Sequence, residues 1–158
     1  MDFSRRRVDA PNVQSRSISV AFIRSTQRQI PRGRIILGYF FGPKFNEVPG
    51  IDATESLQPR RAIKRLLFGD LGLINGEWRV LGELVNWRRA DWPVPQFVRR
   101  DDISKRAWRI SYSDSDPSKL VAEEPAPFDV NDLENGQLWG YGAIEQLLTK
   151  LLESRAAQ

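Results

Sequence analysis

The pattern of apolar and polar positions predicts strands in the first third of the chain. Ile18 to Arg24 alternates, with Ile18, Val20 and Phe22 on one face, which is typical of a strand. Arg34 to Phe41 is apolar on both faces and therefore predicts a central strand that is covered on both sides. Gly38, in the middle of this run, predicts either close approach by a neighbouring side chain or a bulge.

Two stretches further along are ambiguous. Gln58 to Phe68 fits a short helix that begins at Pro59, and a strand over Ile63 to Phe68 fits nearly as well. Asp70 to Asn75 is expected to form a turn or a short helical loop. It ends at Asn75-Gly76, a dipeptide that often marks a β-hairpin.

The β pattern continues in the middle of the chain. Trp78 to Leu84 alternates and predicts a half-buried strand with Trp78, Val80 and Leu84 on one face. The prolines of Trp92 to Pro95 require an extended backbone, and Phe97 to Arg99 is expected to continue as an edge strand.

The last third contains a predicted hairpin and the clearest helix. Trp108 to Tyr112 and Leu120 to Ala122 predict two strands around a polar turn, and the acidic, proline-bearing residues 123–136 predict a loop. Residues 139–153 predict a helix, because one face carries Tyr141, Ile144, Leu147, Leu148, Leu151 and Leu152. Together these elements predict an α+β fold that is mainly β. It is a bent antiparallel sheet with a C-terminal covering helix, and barrel-like closure is left open.

The length of 158 residues fits one domain with a core of its own. We expect residues 1–16, which are polar and include Arg5-Arg6-Arg7, to form a flexible basic arm. Residues 17–158 would then form the single domain. No signal peptide and no membrane-spanning stretch is recognisable, so a cytoplasmic location is expected.

Charge is distributed unevenly along the sequence. Residues 1–65 hold thirteen Lys/Arg and five Asp/Glu, whereas residues 113–158 hold three and nine. A basic first half and an acidic end indicate a charged protein partner or nucleic acid, although an ordinary solvated surface explains the same pattern.

Histidine and cysteine are both absent, which limits the chemistry that the chain could perform. The commonest general base, the usual nucleophile pairs and zinc sites built on nitrogen or sulfur are excluded. Asp114 and Asp116 resemble the start of a calcium loop, but the later ligands are missing, and two turn-forming aspartates before a proline are favoured. We expect no catalytic residues, no metal and no cofactor.

The segment Trp87-Arg88-Arg89-Ala90-Asp91-Trp92 is the strongest candidate for recognition. Tryptophan and arginine are enriched among the residues that contribute most to protein interfaces. We therefore predict that Trp87, Arg88, Arg89, Asp91 and Trp92 bind a partner. The alternative is that both tryptophans are buried under the sheet while the arginines face water.

Several motifs rich in glycine, proline and aromatic residues resemble those of one family. They are Gly38 with Phe41-Gly42-Pro43, Phe68-Gly69-Asp70-Leu71-Gly72-Leu73 with Gly76-Glu77-Trp78, Trp92-Pro93-Val94-Pro95-Gln96-Phe97, and Tyr112 with Asp114-Ser115-Asp116-Pro117. In these motifs the chain resembles the Immunity protein 26 family of bacterial polymorphic toxin systems, over roughly residues 17–125. The resemblance implies a cytoplasmic, mainly-β protein that binds and blocks a cognate toxin domain and has no catalytic residues.

Three hypotheses for the function follow, in decreasing order of support. The first is an immunity protein that neutralises its toxin by stoichiometric occlusion. If the toxin is a nuclease, its basic substrate surface would meet the acidic residues Asp114, Asp116, Glu123 and Glu124. The alternative is a nucleic-acid-binding module that uses the basic N-terminal half. An enzyme based on carboxylates is the least supported, because no constellation of such groups stands out.

Overall fold

The computed structural model describes residues 18–24, 34–45, 47, 50, 57–82, 84 and 87–157. The predicted basic arm at residues 1–16 lies outside them. In chain order the strands are β1 (Ile18–Arg24), β2 (Ile35–Phe45), β3 (Lys64–Gly69), β4 (Phe97–Asp101), β5 (Arg106–Tyr112), β6 (Leu120–Ala126), β7 (Glu134–Asn135) and β8 (Leu138–Trp139). The helices are α1 (Leu71–Ile74) and α2 (Tyr141–Ala156), and 3-10 turns occupy Pro59–Arg61 and Arg89–Asp91.

The described strands form two four-stranded sheets. The first has the order β1-β2-β3-β8 and the second the order β6-β5-β4-β7. Neighbouring strands are antiparallel except where the short strands β8 and β7 pair in parallel with β3 and β4. Because β7 and β8 follow each other in the chain but join different sheets, residues 134–139 connect the two sheets. The predicted mainly-β α+β class with a C-terminal helix is confirmed, and the described strands do not close into a barrel.

Strand β2 supplies both layers of the core, as its two apolar faces predicted. On one face, between the sheets, lies the inter-sheet core, which consists of Leu37, Tyr39, Phe41, Leu67, Trp92, Phe97 and Ile110. On the other face, under α2, lies the helix-side core, which consists of Ile36, Phe40, Leu66, Phe68, Ile144 and Leu148. The alternation of side chains along β2 therefore holds the second sheet on one side and α2 on the other.

The structure resolves the two ambiguous stretches, residues 58–68 and residues 70–76. A 3-10 turn begins at Pro59, and the strand alternative is correct for the residues that follow, which form β3. The expected helical loop after Asp70 is α1. Asn75-Gly76 does not form a hairpin but ends this helix, with Gly76 at a φ of 73°.

The predicted strand from Trp78 to Leu84 is wrong for the described residues of that stretch, which form no strand. Trp78 packs on Phe68 in the helix-side core, with ring centroids 5.2 Å apart, whereas Leu84 packs against the inter-sheet core. Val80 is 71% exposed. Trp78 and Leu84 therefore contact opposite sides of the first sheet. A strand would instead keep the two residues on one face.

Two further expectations about the second sheet need correction. Strand β4 is not an edge strand over its first residues, since Phe97 and Val98 pair with both β5 and β7. The predicted loop at residues 123–136 contains the second half of β6 and all of β7. Proline favours a loop, but Pro125 lies within a strand because β6 is the outer strand of its sheet, where a missing N–H is tolerated.

Candidate protein-interaction surface

The segment Trp87–Trp92 forms a turn that is fixed by its own hydrogen bonds. The amides of Asp91 and Trp92 donate to the carbonyls of Arg88 and Arg89, each at 3.1 Å. The Arg88 guanidinium donates to both carboxylate oxygens of Asp91, at 2.8 and 3.0 Å. A bidentate pair of this kind holds two exposed charged groups in one geometry.

Both tryptophans of this segment pack inward. Trp92 is 5% exposed, and its ring lies edge-on to Tyr39 at 5.1 Å and to Phe41 at 6.2 Å between centroids. Trp87 is half-buried against the inter-sheet core. The two rings anchor the turn in the inter-sheet core, whereas the Arg88 side chain is exposed. The predicted role of these residues in binding stays a prediction.

Arg89 connects this turn to the polar turn between β5 and β6. Its Nε lies 3.8 Å from a carboxylate oxygen of Asp114. The Trp87–Trp92 turn and the turn at residues 113–118 therefore meet at this pair, although 20 residues lie between them in sequence.

Asp116 is a structural residue of the β5–β6 turn. Its carboxylate accepts hydrogen bonds from the hydroxyl of Ser118 at 2.6 Å and from the Ser118 amide at 3.0 Å. These bonds, the hydroxyl first, lower the pKa of Asp116 below its ordinary value, and the nearby cations Arg34 and Lys119 contribute to the same shift. Asp116 is therefore a carboxylate at neutral pH, and the turn-forming interpretation of Asp114-x-Asp116 agrees with this geometry.

Glu123 and Glu124 lie further along β6, about 10 Å from its start at Leu120 by the usual rise per residue. Glu123 forms an ion pair with Arg99, whose guanidinium lies 5.1 Å from the ring centroid of Trp108. Glu124 is exposed and lies opposite Arg109 in the ladder. Since adjacent strand residues point to opposite faces, these two carboxylates do not share one face. The structure thus brings Asp114 next to Arg89 but places Glu123 and Glu124 on opposite faces of β6.

A basic cleft lies beside the Trp87–Trp92 turn and was not predicted from the sequence. Arg60 and Arg65 line it from one side, and Ala90, Asp91 and Pro93 line it from the other. The basic run from Arg60 to Arg65 was a usable signal. The choice between helix and strand over that run left the directions of its side chains open.

Two absences apply to the described part of the chain. No group of three or more Asp or Glu side chains there is placed to hold a metal ion. No helix among those residues is both long and apolar enough to cross a membrane.

The geometry defines a mainly-β protein whose candidate site is an exposed, charged surface on hydrogen-bonded turns. The chain belongs to the Immunity protein 26 family, whose sequence model matches residues 18–109, more than half of its length. The match includes the quoted motifs from Gly38 to Phe97, and those at Tyr112 and Asp114–Pro117 lie beyond it. No curated protein and no solved structure matched the chain. An immunity role, with a toxin as partner, is what this family membership supports.

Proposed function

We propose that this protein binds a cognate toxin domain in the cytoplasm of the cell that makes both proteins. It covers the toxin's active surface in a one-to-one complex and carries out no catalysis. The observation that carries the proposal is the match to an immunity family over residues 18–109. The absence of histidine and cysteine removes the commonest general base and the Ser-His and Cys-His nucleophile pairs, which favours binding over catalysis.

The surface around the Trp87–Trp92 turn is the contact region we favour. Its charged groups are held by Arg88–Asp91 and Arg89–Asp114 pairs, and its rings are anchored in the inter-sheet core. Pre-positioned side chains lose less conformational entropy on binding, which favours tight association over an interface of ordinary size.

The test uses the cognate toxin domain, which is to be sought in the reading frames that adjoin this gene. Residual toxin activity is measured while this protein is added in increasing amounts. Occlusion predicts a linear fall that reaches zero at equimolar protein, with full toxin activity recovered after the complex is separated in denaturant and the toxin is refolded. Complete inactivation by substoichiometric protein would show that the chain acts as an enzyme.

A second experiment asks whether the acidic residues dock on a basic toxin. The variant carries Asp114→Asn, Asp116→Asn, Glu123→Gln and Glu124→Gln. If these side chains steer a basic partner, its association rate at low salt should fall by roughly tenfold or more, because charge complementarity acts mainly on the rate of encounter.

The matched control removes the same charge from four other exposed positions, by Asp102→Asn, Asp129→Asn, Asp132→Asn and Glu153→Gln. An equal slowing in both variants would show that only net charge matters. An unchanged rate in the first variant would exclude the acidic residues as the docking site.

A further inference from the structure

The cleft beside the Trp87–Trp92 turn contains two arginines whose positive charge is not compensated by any described carboxylate. Arg60 donates from Nε to the side-chain oxygen of Gln58 at 2.8 Å, and Arg65 donates from a terminal nitrogen to the carbonyl of Pro59 at 2.9 Å. Both acceptors are neutral. They fix the direction of each guanidinium and leave its full charge facing the cleft, which has a volume of about 550 Å³.

The acidic group that lines the same cleft is already engaged. Both carboxylate oxygens of Asp91 accept hydrogen bonds from Arg88, at 2.8 and 3.0 Å. The neighbouring acidic residue Glu134 binds Lys64 at 2.9 Å and accepts a hydrogen bond from the backbone amide of Arg65, not from its guanidinium. Within the described residues the cleft is therefore a pre-positioned site with a net positive charge.

Arg65 is supported from below by aromatic rings. Its guanidinium carbon lies 5.6 Å from the ring centroid of Tyr39, and Tyr39 is packed edge-on against Trp92. The Tyr39 hydroxyl donates to the carbonyl of Pro93 on the opposite wall of the cleft. A guanidinium that is stacked and hydrogen-bonded in this way keeps its planar donors aligned for a planar anion.

On this basis we propose that the cleft is the socket for a carboxylate side chain of the toxin domain, bound by Arg60 and Arg65. Guanidinium and carboxylate groups match each other in bidentate geometry. A protein carboxylate is favoured over single-stranded nucleic acid. Sites that bind single-stranded nucleic acid present exposed aromatic rings on which the bases stack. In this cleft the aromatic ring is that of Tyr39, which is 1% exposed and lies beneath Arg65. The inference rests on the proposed function and names the chemistry of the partner at this point.

The first test measures the affinity of the full chain for the toxin domain by calorimetry at physiological ionic strength. Arg60→Gln should weaken binding by about tenfold or more, because an anion in the interface would lose its partner. Arg61→Gln is the matched control. It removes the same charge from the next residue, which is exposed and does not line the cleft. Equal effects of the two substitutions would overturn the proposal.

A second test does not depend on the toxin. Backbone amide shifts of the protein are followed by NMR while a hexaglutamate peptide or a short oligothymidylate is added. The proposal predicts peptide-induced shifts around residues 58–65 and 90–93 that Arg60→Gln abolishes and Arg61→Gln retains. Stronger binding of the oligothymidylate with the same dependence on Arg60 would assign the cleft to nucleic acid instead, and the absence of shifts with either probe would also overturn the proposal.

The two tests separate the failure of this inference from the failure of the proposed function. If the wild-type protein binds the toxin and Arg60→Gln does not weaken it, only the socket is wrong. If the wild-type protein does not bind the toxin but binds hexaglutamate through Arg60, the carboxylate site stands and the proposed function fails.

Discussion

Gly38 sets the spacing between two aromatic rings in the helix-side core. A Cβ atom at this position would lie 2.7 Å from Cε1 of Phe68 and 2.9 Å from Cε2 of Phe40. Both rings are buried and have little room to move. Of the two explanations that the sequence offered for this glycine, close approach is the one that the structure supports.

We expect Gly38→Ala to lower the free energy of unfolding by about 1–3 kcal/mol, the usual cost of overpacking a core. Urea denaturation followed by circular dichroism measures it. Gly69→Ala is the control, since Gly69 also lies in a strand of the first sheet and a Cβ there would contact nothing within 4 Å. A loss at Gly69 as large as that at Gly38 would contradict the steric explanation.

Residue type alone could not predict which tryptophans are buried, or on which side of the first sheet they pack. Trp78 and Trp92 occur in similar polar surroundings in the sequence, yet they pack on opposite sides of the first sheet. Trp78 also donates from Nε1 to Glu145 of α2 at 2.9 Å, a contact between residues 67 positions apart. Long-range contacts of this kind decide which side chains are buried. They cannot be predicted from the alternation of apolar and polar residues along a short segment.

At the scale of elements, the turn between β4 and β5 is fixed by one carboxylate. Asp101 accepts hydrogen bonds from the Ser104 hydroxyl at 2.7 Å, the Ile103 amide at 2.9 Å and the Ser104 amide at 3.3 Å. These bonds, the hydroxyl first, lower the pKa of Asp101 below its ordinary value. Lys105 completes the reversal with a φ of 55°, and Ile103 at the tip is 97% exposed.

The lowered pKa predicts how the turn responds to acid. A carboxylate whose pKa falls on folding contributes stability that is complete above the unfolded value of about 3.9 and is lost as the pH falls through the folded value. An NMR titration of the Asp101 carboxyl carbon should therefore give a midpoint below the ordinary value. In Ser104→Ala the midpoint should rise toward that value, because the largest contribution is removed. Identical midpoints in the two proteins would refute the assignment to Ser104.

Elements with a long periodic pattern could be predicted from sequence, and short or irregular ones could not. The two apolar faces of β2 and the apolar face of α2 each repeat over several residues, so the prediction matched the structure. Strands β7 and β8 have two residues each and exist because β4 and β3 offer them partners. Residues 78–84 alternate in sequence without forming a strand among the described residues, because Trp78 and Leu84 pack on opposite sides of the first sheet.

At the scale of the whole molecule, β2 couples the two cores. Its alternate residues belong to both, so neither core can lose its packing without displacing this strand. The candidate surface depends on the same arrangement. Its cleft combines residues 58–65 with residues 90–93, which only the folded chain brings together. This is why the sequence could indicate the Trp87–Trp92 turn but not the cleft beside it.

We expect the described part of the chain to unfold in a single transition. Trp92→Ala in the inter-sheet core should lower the free energy of unfolding by roughly 3–5 kcal/mol. Leu148→Ala in the helix-side core should lower it by roughly 2–5 kcal/mol. In each variant, tryptophan fluorescence and far-ultraviolet circular dichroism should report the same midpoint. Val80→Ala, at an exposed position, should change the midpoint little. Two separate midpoints in Leu148→Ala would show that α2 unfolds independently.

The exposed isoleucine at the tip of the β4–β5 turn has a practical consequence. The natural sequence contains no cysteine, so Ile103→Cys would introduce the chain's single thiol. Its side chain is almost fully exposed, and the loop around it is held by Asp101. A fluorophore or cross-linker attached at Ile103→Cys would therefore report on neighbouring molecules from a known point, without disturbing either core.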